Sequence, residues 1–563
     1  MSTLDLKATS KFIFSSIFVG VILGMIGSAM ANLFRSGITF LNELETDALE
    51  GVPKFYFYFI TLSIAALLVH NIKSKLKGTG FHGVADSIYF AHKSKDCTDV
   101  KTGVLSTLAA FVSASGGASV GQYGPLVHFG TTFGSLLRRC LRVKLSYDLF
   151  IGAGVAASIS AGFGAPLAGV LFAHEVILRH YSHRSILAIS TASGVAYAAT
   201  QFFWQKSLVF NFPQYEFDLS ALIIISLLSG PLYGAIAIFY MRSLLFFGKL
   251  SKKMSAKPFY NPFIGVLILS LIGSIFPEVM GLGTQTVQNI FEVQYGLGIL
   301  LLILFGKIVT TSISLNFGFF GGVFSPALLV GASAGAAVST FLMHAGIISN
   351  FEFPLVICGM AAVTGSVIGA PITMIVLIIE LTGSYVYALA ALVSLAVSVT
   401  YTQIRFGTSY FDTQLAGRGI DISEGRIGLY LSETSVIDFC ERQFDTISAN
   451  ETVGRAQQIM SQGQKSELIV ISEDQQFLGK VDALSILAAD VNSRLNDYVD
   501  SQCLTISDAN SLSEAMEVAS DFVGEFIPII NEREGVIVGI ISENALFEAY
   551  LDQQSTITER EKL

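Results

Sequence analysis

The sequence predicts an all-α polytopic membrane protein, made of two related halves with broken helices, followed by a small α/β module. Three observations predict it. The chain of 563 residues is 52% hydrophobic and only 14% charged, with a mean hydropathy of +0.61, where soluble domains carry roughly 25% charged residues. Its apolar runs come in two populations, long and interrupted, over residues 12–402. Its charge divides in two: residues 1–420 hold 25 Lys/Arg against 17 Asp/Glu, and residues 421–563 hold 9 against 26. A basic membrane body thus precedes an acidic tail. No basic stripe suggests a nucleic-acid partner.

The runs at 12–34, 53–70, 186–203, 219–247, 296–313 and 385–402 approach the roughly 20 residues a spanning helix needs. The first also resembles a cleavable leader, with Lys7 and Lys11 before it and Ala29-Met30-Ala31 within it. It continues past that point, so a spanning helix is expected. Runs at 102–112, 126–137, 166–178, 261–276, 326–347, 354–364 and 371–381 are shorter or broken by Gly and Pro. Lipid cannot satisfy such backbone, so it must lie in protein or line a watery cavity. The clusters LRRCLRVK (137–144) and KLSKKM (249–254) mark the cytoplasmic side, with the amino terminus. Cys97, Cys140, Cys358, Cys440 and Cys503 form no metal or disulfide pattern and read as free thiols.

An internal repeat organises the body. GAPLAGVLFAHEV (164–176) matches GAPITMIVLIIEL (369–381), and each places a glutamate, Glu175 or Glu380, nine residues after its proline. GQYGP ends at Pro125 and GGVFSP at Pro326, each opening an apolar helix. The two halves run over about 12–205 and 218–415. Folds of this kind hold substrate where broken helices of both halves meet. A helix that starts inside the membrane leaves its first N–H groups unpaired, with a partial positive charge of about half a unit. Two such ends make an anion site without formal charge. Gly116, Gly117, Gly121, Gly124, Gly321 and Gly322 allow close backbone approach there. Tight helix contacts of the small-xxx-small kind are the alternative.

These segments, GQYGPLVHFG (121–130), GAPLAGVLFAHE (164–175), GGVFSP (321–326) and APITMIVLIIELT (370–382), resemble the CLC chloride channels and proton/chloride exchangers. The resemblance implies anion binding at Thr79, Gly80 and Phe81 of KGTGFHG, at Gly121, Gln122, Tyr123 and Gly124, at Val323 and Phe324, and at Phe411 of SYFDTQLAGRG. It also implies a membrane body of two inverted structural repeats with broken and tilted helices, and a homodimer in a membrane, with chloride as the transported ion and no cofactor or metal.

Three departures from the family bear on mechanism. The gating glutamate is Tyr123, an inner ion-binding tyrosine is Phe411, and the exchangers' inner proton glutamate is Val176, beside Glu175. A phenol titrates near ~10 and a carboxylate near ~4, so Tyr123 neither mimics an anion nor carries protons. Tyr123 and Phe411 become the expected gates, with Tyr123 lending the hydroxyl that Phe411 lacks or plugging the path. Glu175 and Glu380 match positions that brace helix ends, and His128 and His174 are the remaining candidates for proton handling. The expected activity is passive chloride conduction without obligatory proton coupling. The alternative is a proton/chloride antiporter with an unconventional proton path.

From about 427 the chain alternates helix-like runs with short apolar strands and resembles a tandem CBS pair, 434–490 and 496–552, with a linker at 421–433 and a tail at 553–563. Many such pairs hold adenine nucleotides. The ribose positions read Asp482 and Ser485 in one copy and Ser542 and Ala545 in the other. Neither keeps both partners, so Ser542 and Asp482 are the contacts left for a nucleotide, and a structural tail is the larger expectation. A divalent-cation transporter would need clustered intramembrane acids, and an enzyme a nucleophile–base pair; neither pattern is present. A ligand sensor is disfavoured by the incomplete ribose positions. The expected setting is a bacterial inner membrane with both termini cytoplasmic.

Overall fold

The computed structural model describes residues 6–76, 80–93, 98–141, 143, 145–204, 219–254, 260–348, 353–422 and 425–562. The chain divides into two units, Met1–Gly419 and Ile420–Leu563. The first is helical throughout. Its opening half contains α1 (Leu6–Ala48), α2 (Lys54–Ser74), α3 (Val84–His92), α4 (Val100–Ser115), α5 (Tyr123–Cys140), α6 (Tyr147–Phe163), α7 (Pro166–Phe172) and α8 (His183–Trp204). α7 runs on as a π turn, Ala173–Leu178. The closing half contains α9 (Leu219–Met254), α10 (Tyr260–Ile275), α11 (Thr284–Phe291), α12 (Leu297–Asn316), α13 (Phe324–His344), α14 (Phe353–Ile368), α15 (Pro371–Thr382) and α16 (Tyr385–Phe406), and α17 (Tyr410–Ala416) ends the unit.

Seven helices among the described residues are long and apolar enough to cross a membrane. They include α1, α2, α9 and α12; α3, α7, α11 and α17 are too short to do so. The two halves are built alike. α5 packs on α6 as α13 packs on α14, and α1 on α8 as α9 on α16. Glycines set the closeness of the matching crossings: a Cβ on Gly130 would stand 2.2 Å from the Gly154 carbonyl oxygen, and one on Gly331 2.4 Å from that of Gly359. Only backbone against backbone fits there. α6 and α14 are apolar on every side, and both are enclosed by neighbours along nearly their whole length.

The repeat read in the sequence becomes a repeated turn. Gly164 and Gly369 end α6 and α14 with φ of 71° and 72°, a left-handed conformation that glycine adopts without strain. Ala165 and Ala370 then extend the chain, and Pro166 and Pro371 open the next helix at the position where a missing N–H costs nothing.

The second unit repeats a smaller pattern. α18 (Gly425–Glu433) precedes β1 (Thr446–Ser448), α19 (Val453–Gly463), β2 (Glu467–Ile471), β3 (Phe477–Asp482) and α20 (Ala483–Ile486). β4 (Ile506–Ser507), α21 (Leu512–Ala519), β5 (Ile527–Asn531), β6 (Val536–Ile541) and α22 (Glu543–Lys562) follow. Each copy is a three-stranded sheet in which the first strand runs parallel to the second and the second antiparallel to the third. Residues 421–433, read from sequence as a linker, hold α18, whose Leu431 enters the core of the second copy beside Val436 and Leu512. Ile427 and Leu431, one turn apart on α18, face that core together, and turn signals alone did not reveal it.

Candidate functional site

Four helix starts converge on one cavity of about 160 Å³ in the membrane unit. Gly83 and Val84 lead α3, Tyr123 and Gly124 lead α5, Val323 and Phe324 lead α13, and Tyr410 and Phe411 lead α17; all line it. The first turn of each helix leaves N–H groups without intrahelical partners, so the cavity collects partial positive charge. Among the described residues its Asp, Glu, Lys and Arg lining residues are Asp86 and Arg418, joined at 2.7 Å. Asp86 also accepts from the Gly83 backbone N–H at 2.7 Å, capping α3. The wall is therefore close to neutral in formal charge, and the field comes from the helix ends.

The loops before α5 and α13 hold one another. Gly121 N–H donates to the Gly322 carbonyl and Gly322 N–H to the Gly121 carbonyl, both at 2.7 Å. A Cβ on Gly121 would stand 2.8 Å from that carbonyl oxygen, so this two-way bridge requires glycine. It brings the matching helix starts of the two halves side by side, which two sequence motifs 201 residues apart could only suggest.

Tyr123 is buried, 1% exposed. Its ring stacks on Phe163 with centroids 3.6 Å apart and meets Phe324 edge-on at 5.5 Å. The polar side chains acting on its phenol are Arg35 and Gln122. Arg35, on α1, also donates to the Gly162 carbonyl. Phe172 extends the aromatic group towards Phe324.

Of the residues expected from sequence, Phe81, Tyr123, Gly124, Val323, Phe324 and Phe411 meet at the cavity. Gly121 and Gln122 lie behind them, the Gln122 Oε1 without a partner among the described residues. Gly80 is exposed and outside the lining, and Thr79 lies outside the described residues. Tyr410, Gln414, Asn316, Asp86 and Arg418 line the cavity too, and sequence reasoning missed them. Tyr410 precedes Phe411 and carries a hydroxyl that accepts from Gln414 at 3.1 Å, so the cavity keeps a phenol beside the position where one was judged absent.

The paired glutamates bind helix starts across the repeat. Glu175 accepts from the N–H groups of Ile372 (2.8 Å) and Thr373 (2.7 Å) at the head of α15. Glu380 accepts from those of Leu167 (2.7 Å) and Ala168 (2.8 Å) at the head of α7. Neither lines the cavity, nor does Val176, which is buried. His174 Nδ1 pairs with the His180 carbonyl at 2.9 Å. His128 Nδ1 meets Ser87 Oγ at 2.9 Å, while its Nε2 has no partner among the described residues.

In the second unit Ser542 lines a cleft of about 170 Å³ with Glu441, Asp445, Glu467, Glu525 and Lys465. Asp482 is not part of it: its carboxylate caps α20, accepting from Leu484 N–H at 3.0 Å. The two nucleotide contacts expected from sequence are thus kept apart.

Broken helices from two like halves, converging by their starts on one cavity within a multi-pass membrane unit, define a membrane transport protein for anions. A family profile described as voltage gated chloride channel matches residues 61–403, and the chain belongs to that family, the CLC proteins. It is 26% identical over 442 residues to a protein named H+/Cl− exchange transporter ClcA from Vibrio cholerae, covering 73% of this chain and 90% of that one. A solved cyanobacterial Cl−/H+ antiporter superposes with a TM-score of 0.63 at 21% identity, over 72% of this chain and 98% of its own. A eukaryotic CLC transporter gives 0.61 at 17% identity, over 95% and 98%.

Proposed function

We propose that this CLC protein conducts chloride passively, without obligatory proton exchange, through one path per subunit of a homodimer in a bacterial inner membrane. The observation that carries the reading is Tyr123, a neutral phenol stacked on Phe163 at 3.6 Å where the helix starts converge. Among the described residues no carboxylate other than the paired Asp86 lines that cavity, so none of them is an unpaired acid that could take a proton and leave the anion path. Glu175 and Glu380 are occupied at helix heads. In this reading chloride sits against the N–H groups at the starts of α5 and α13, Tyr123 closes the path on one side, and Phe411 on the other. The acidic cleft around Ser542 disfavours a nucleotide, and the tail is a structural, CBS-like module.

The second reading, a proton/chloride antiporter, draws support from one feature. His128 Nε2 is buried and unpartnered, and its ring lies 5.5 Å from that of His82. The test is chloride efflux from liposomes holding the purified protein, with external pH recorded and the potential clamped by a potassium ionophore. Chloride flux without proton movement is expected. Proton uptake at a fixed ratio to chloride would overturn the passive reading and direct attention to His128.

A further inference from the structure

Lys307, on α12, is fully enclosed in the membrane unit, at 0% exposure. Its Nζ donates to the carbonyls of Gly281 at 2.7 Å and Val279 at 3.2 Å. Those bonds satisfy donors and leave the charge uncompensated. Among the described residues no carboxylate lies within ion-pair distance of the ammonium. A buried charge without a partner is costly, and ionisable groups at membrane depth mark transport paths more often than packing.

The groups around Lys307 lead to the loop that opens α5. Gly281 N–H donates to the Gly117 carbonyl at 3.0 Å. Thr310 Oγ1, one turn along α12, lies within hydrogen-bond distance of the Val279 carbonyl (3.2 Å) and of Ser119 Oγ (3.1 Å). Ser119 Oγ pairs with Thr311 Oγ1 at 3.0 Å, and its N–H donates to Ser314 Oγ at 3.2 Å. Ser119 lies four residues before Tyr123.

We propose that Lys307 is the fixed positive charge of the anion path: a specificity-determining residue outside the cavity lining, whose counter-charge is the transported monovalent anion beyond the Gly117–Gly121 loop. The proposal rests on anion transport and stands whether or not protons move. Partial charges at helix ends then hold chloride in place, and the full charge behind the loop raises its occupancy.

The test is chloride flux in liposomes as a function of chloride concentration, for the wild type, Lys307→Gln, Lys307→Arg and Ser119→Ala. Glutamine keeps N–H donors for the two carbonyls and removes the charge. Lys307→Gln should raise the half-saturating chloride by roughly threefold to tenfold, the scale of a nearby unit charge at intermediate dielectric. Lys307→Arg and Ser119→Ala should stay within about twofold of the wild type on the same ground. An unchanged half-saturation in Lys307→Gln overturns the proposal. Should that variant not fold, Lys307→Met is read in its place: a raised half-saturation supports the charge, and an unchanged one, or a shift in Ser119→Ala with Lys307→Arg unchanged, overturns the proposal. Obligatory proton movement in the wild type would sink the passive reading alone, because half-saturating chloride is read in either case.

Discussion

In the passive reading proposed above, the side chain at position 123 decides whether the path can titrate. A carboxylate ordinarily titrates near ~4 and a phenol near ~10, and Tyr123 packs between Phe163 and Phe324. Tyr123→Glu is therefore expected to make chloride efflux pH-dependent in the carboxylate range, about pH 4 to 6, with the wild type flat over the same interval. Efflux rates from liposomes at stepped pH check this, and a wild type as steep as the variant would count against a neutral gate. Arg35 belongs to the same argument, since it bonds the Gly162 carbonyl beneath the ring and acts on the phenol. Arg35→Leu should loosen the ring and raise efflux severalfold, less than Tyr123→Ala does. Position 123 was legible from sequence because it sits in a motif. Asp86 and Arg418 were not, since a pair 332 residues apart leaves no local pattern.

At the scale of the element, helix starts carry both stability and function. Glu175 satisfies two backbone N–H groups and the Thr373 hydroxyl at the head of α15, and Glu380 two N–H groups at the head of α7. Glu175→Gln and Glu380→Gln should each lose roughly 1–3 kcal/mol, as charged hydrogen bonds weaken. A lowered unfolding temperature in detergent, with chloride half-saturation unchanged, is the expected result. In the second unit α21 opens on a capping box, with Ser511 N–H bonded to Glu514 at 2.8 Å. Those bonds hold the Glu514 carboxyl below its ordinary range. A depressed folded value means that its contribution is complete above the ordinary glutamate range and is lost as pH falls through the lower value. Ser511→Ala should cost about 1 kcal/mol, visible as earlier unfolding of the tail and as a weaker loss of stability on acidification. The helical repeat itself could be read from two proline-glutamate motifs; the mutual capping could not, because it joins residues 197 and 213 positions apart.

For the whole molecule, charge separates the two units: an excess of Lys/Arg through residue 420 and of Asp/Glu after it. The cleft holding Ser542 inherits that acidity. Its Lys465 is engaged by Asp445 at 2.8 Å and its Glu525 accepts from Ser466 at 2.8 Å, and Glu441, Asp445, Glu467 and Glu525 against Lys465 leave the lining acidic toward an anionic ligand. The full-length protein should therefore show no saturable heat with ATP or AMP in isothermal titration and no shift in unfolding temperature. Saturable binding would restore Ser542 as a ribose contact.

Composition, periodicity and the repeated Gly-Ala-Pro turn were enough to specify a broken-helix membrane body with an acidic α/β tail, because those properties are set by neighbours in the chain: hydropathy over roughly 20 residues and backbone conformations that particular residue types favour. The family resemblance, not local pattern, grouped Tyr123, Val323, Phe324 and Phe411, and all four line the cavity. What touches what across the repeat was settled by folding. The Gly121–Gly322 bridge, the crossed glutamate caps, the Asp86–Arg418 pair and the enclosed Lys307 all depend on distances between segments far apart in the chain. Such distances follow from how helices pack, and packing is a property of the three-dimensional arrangement that no single stretch of residues encodes.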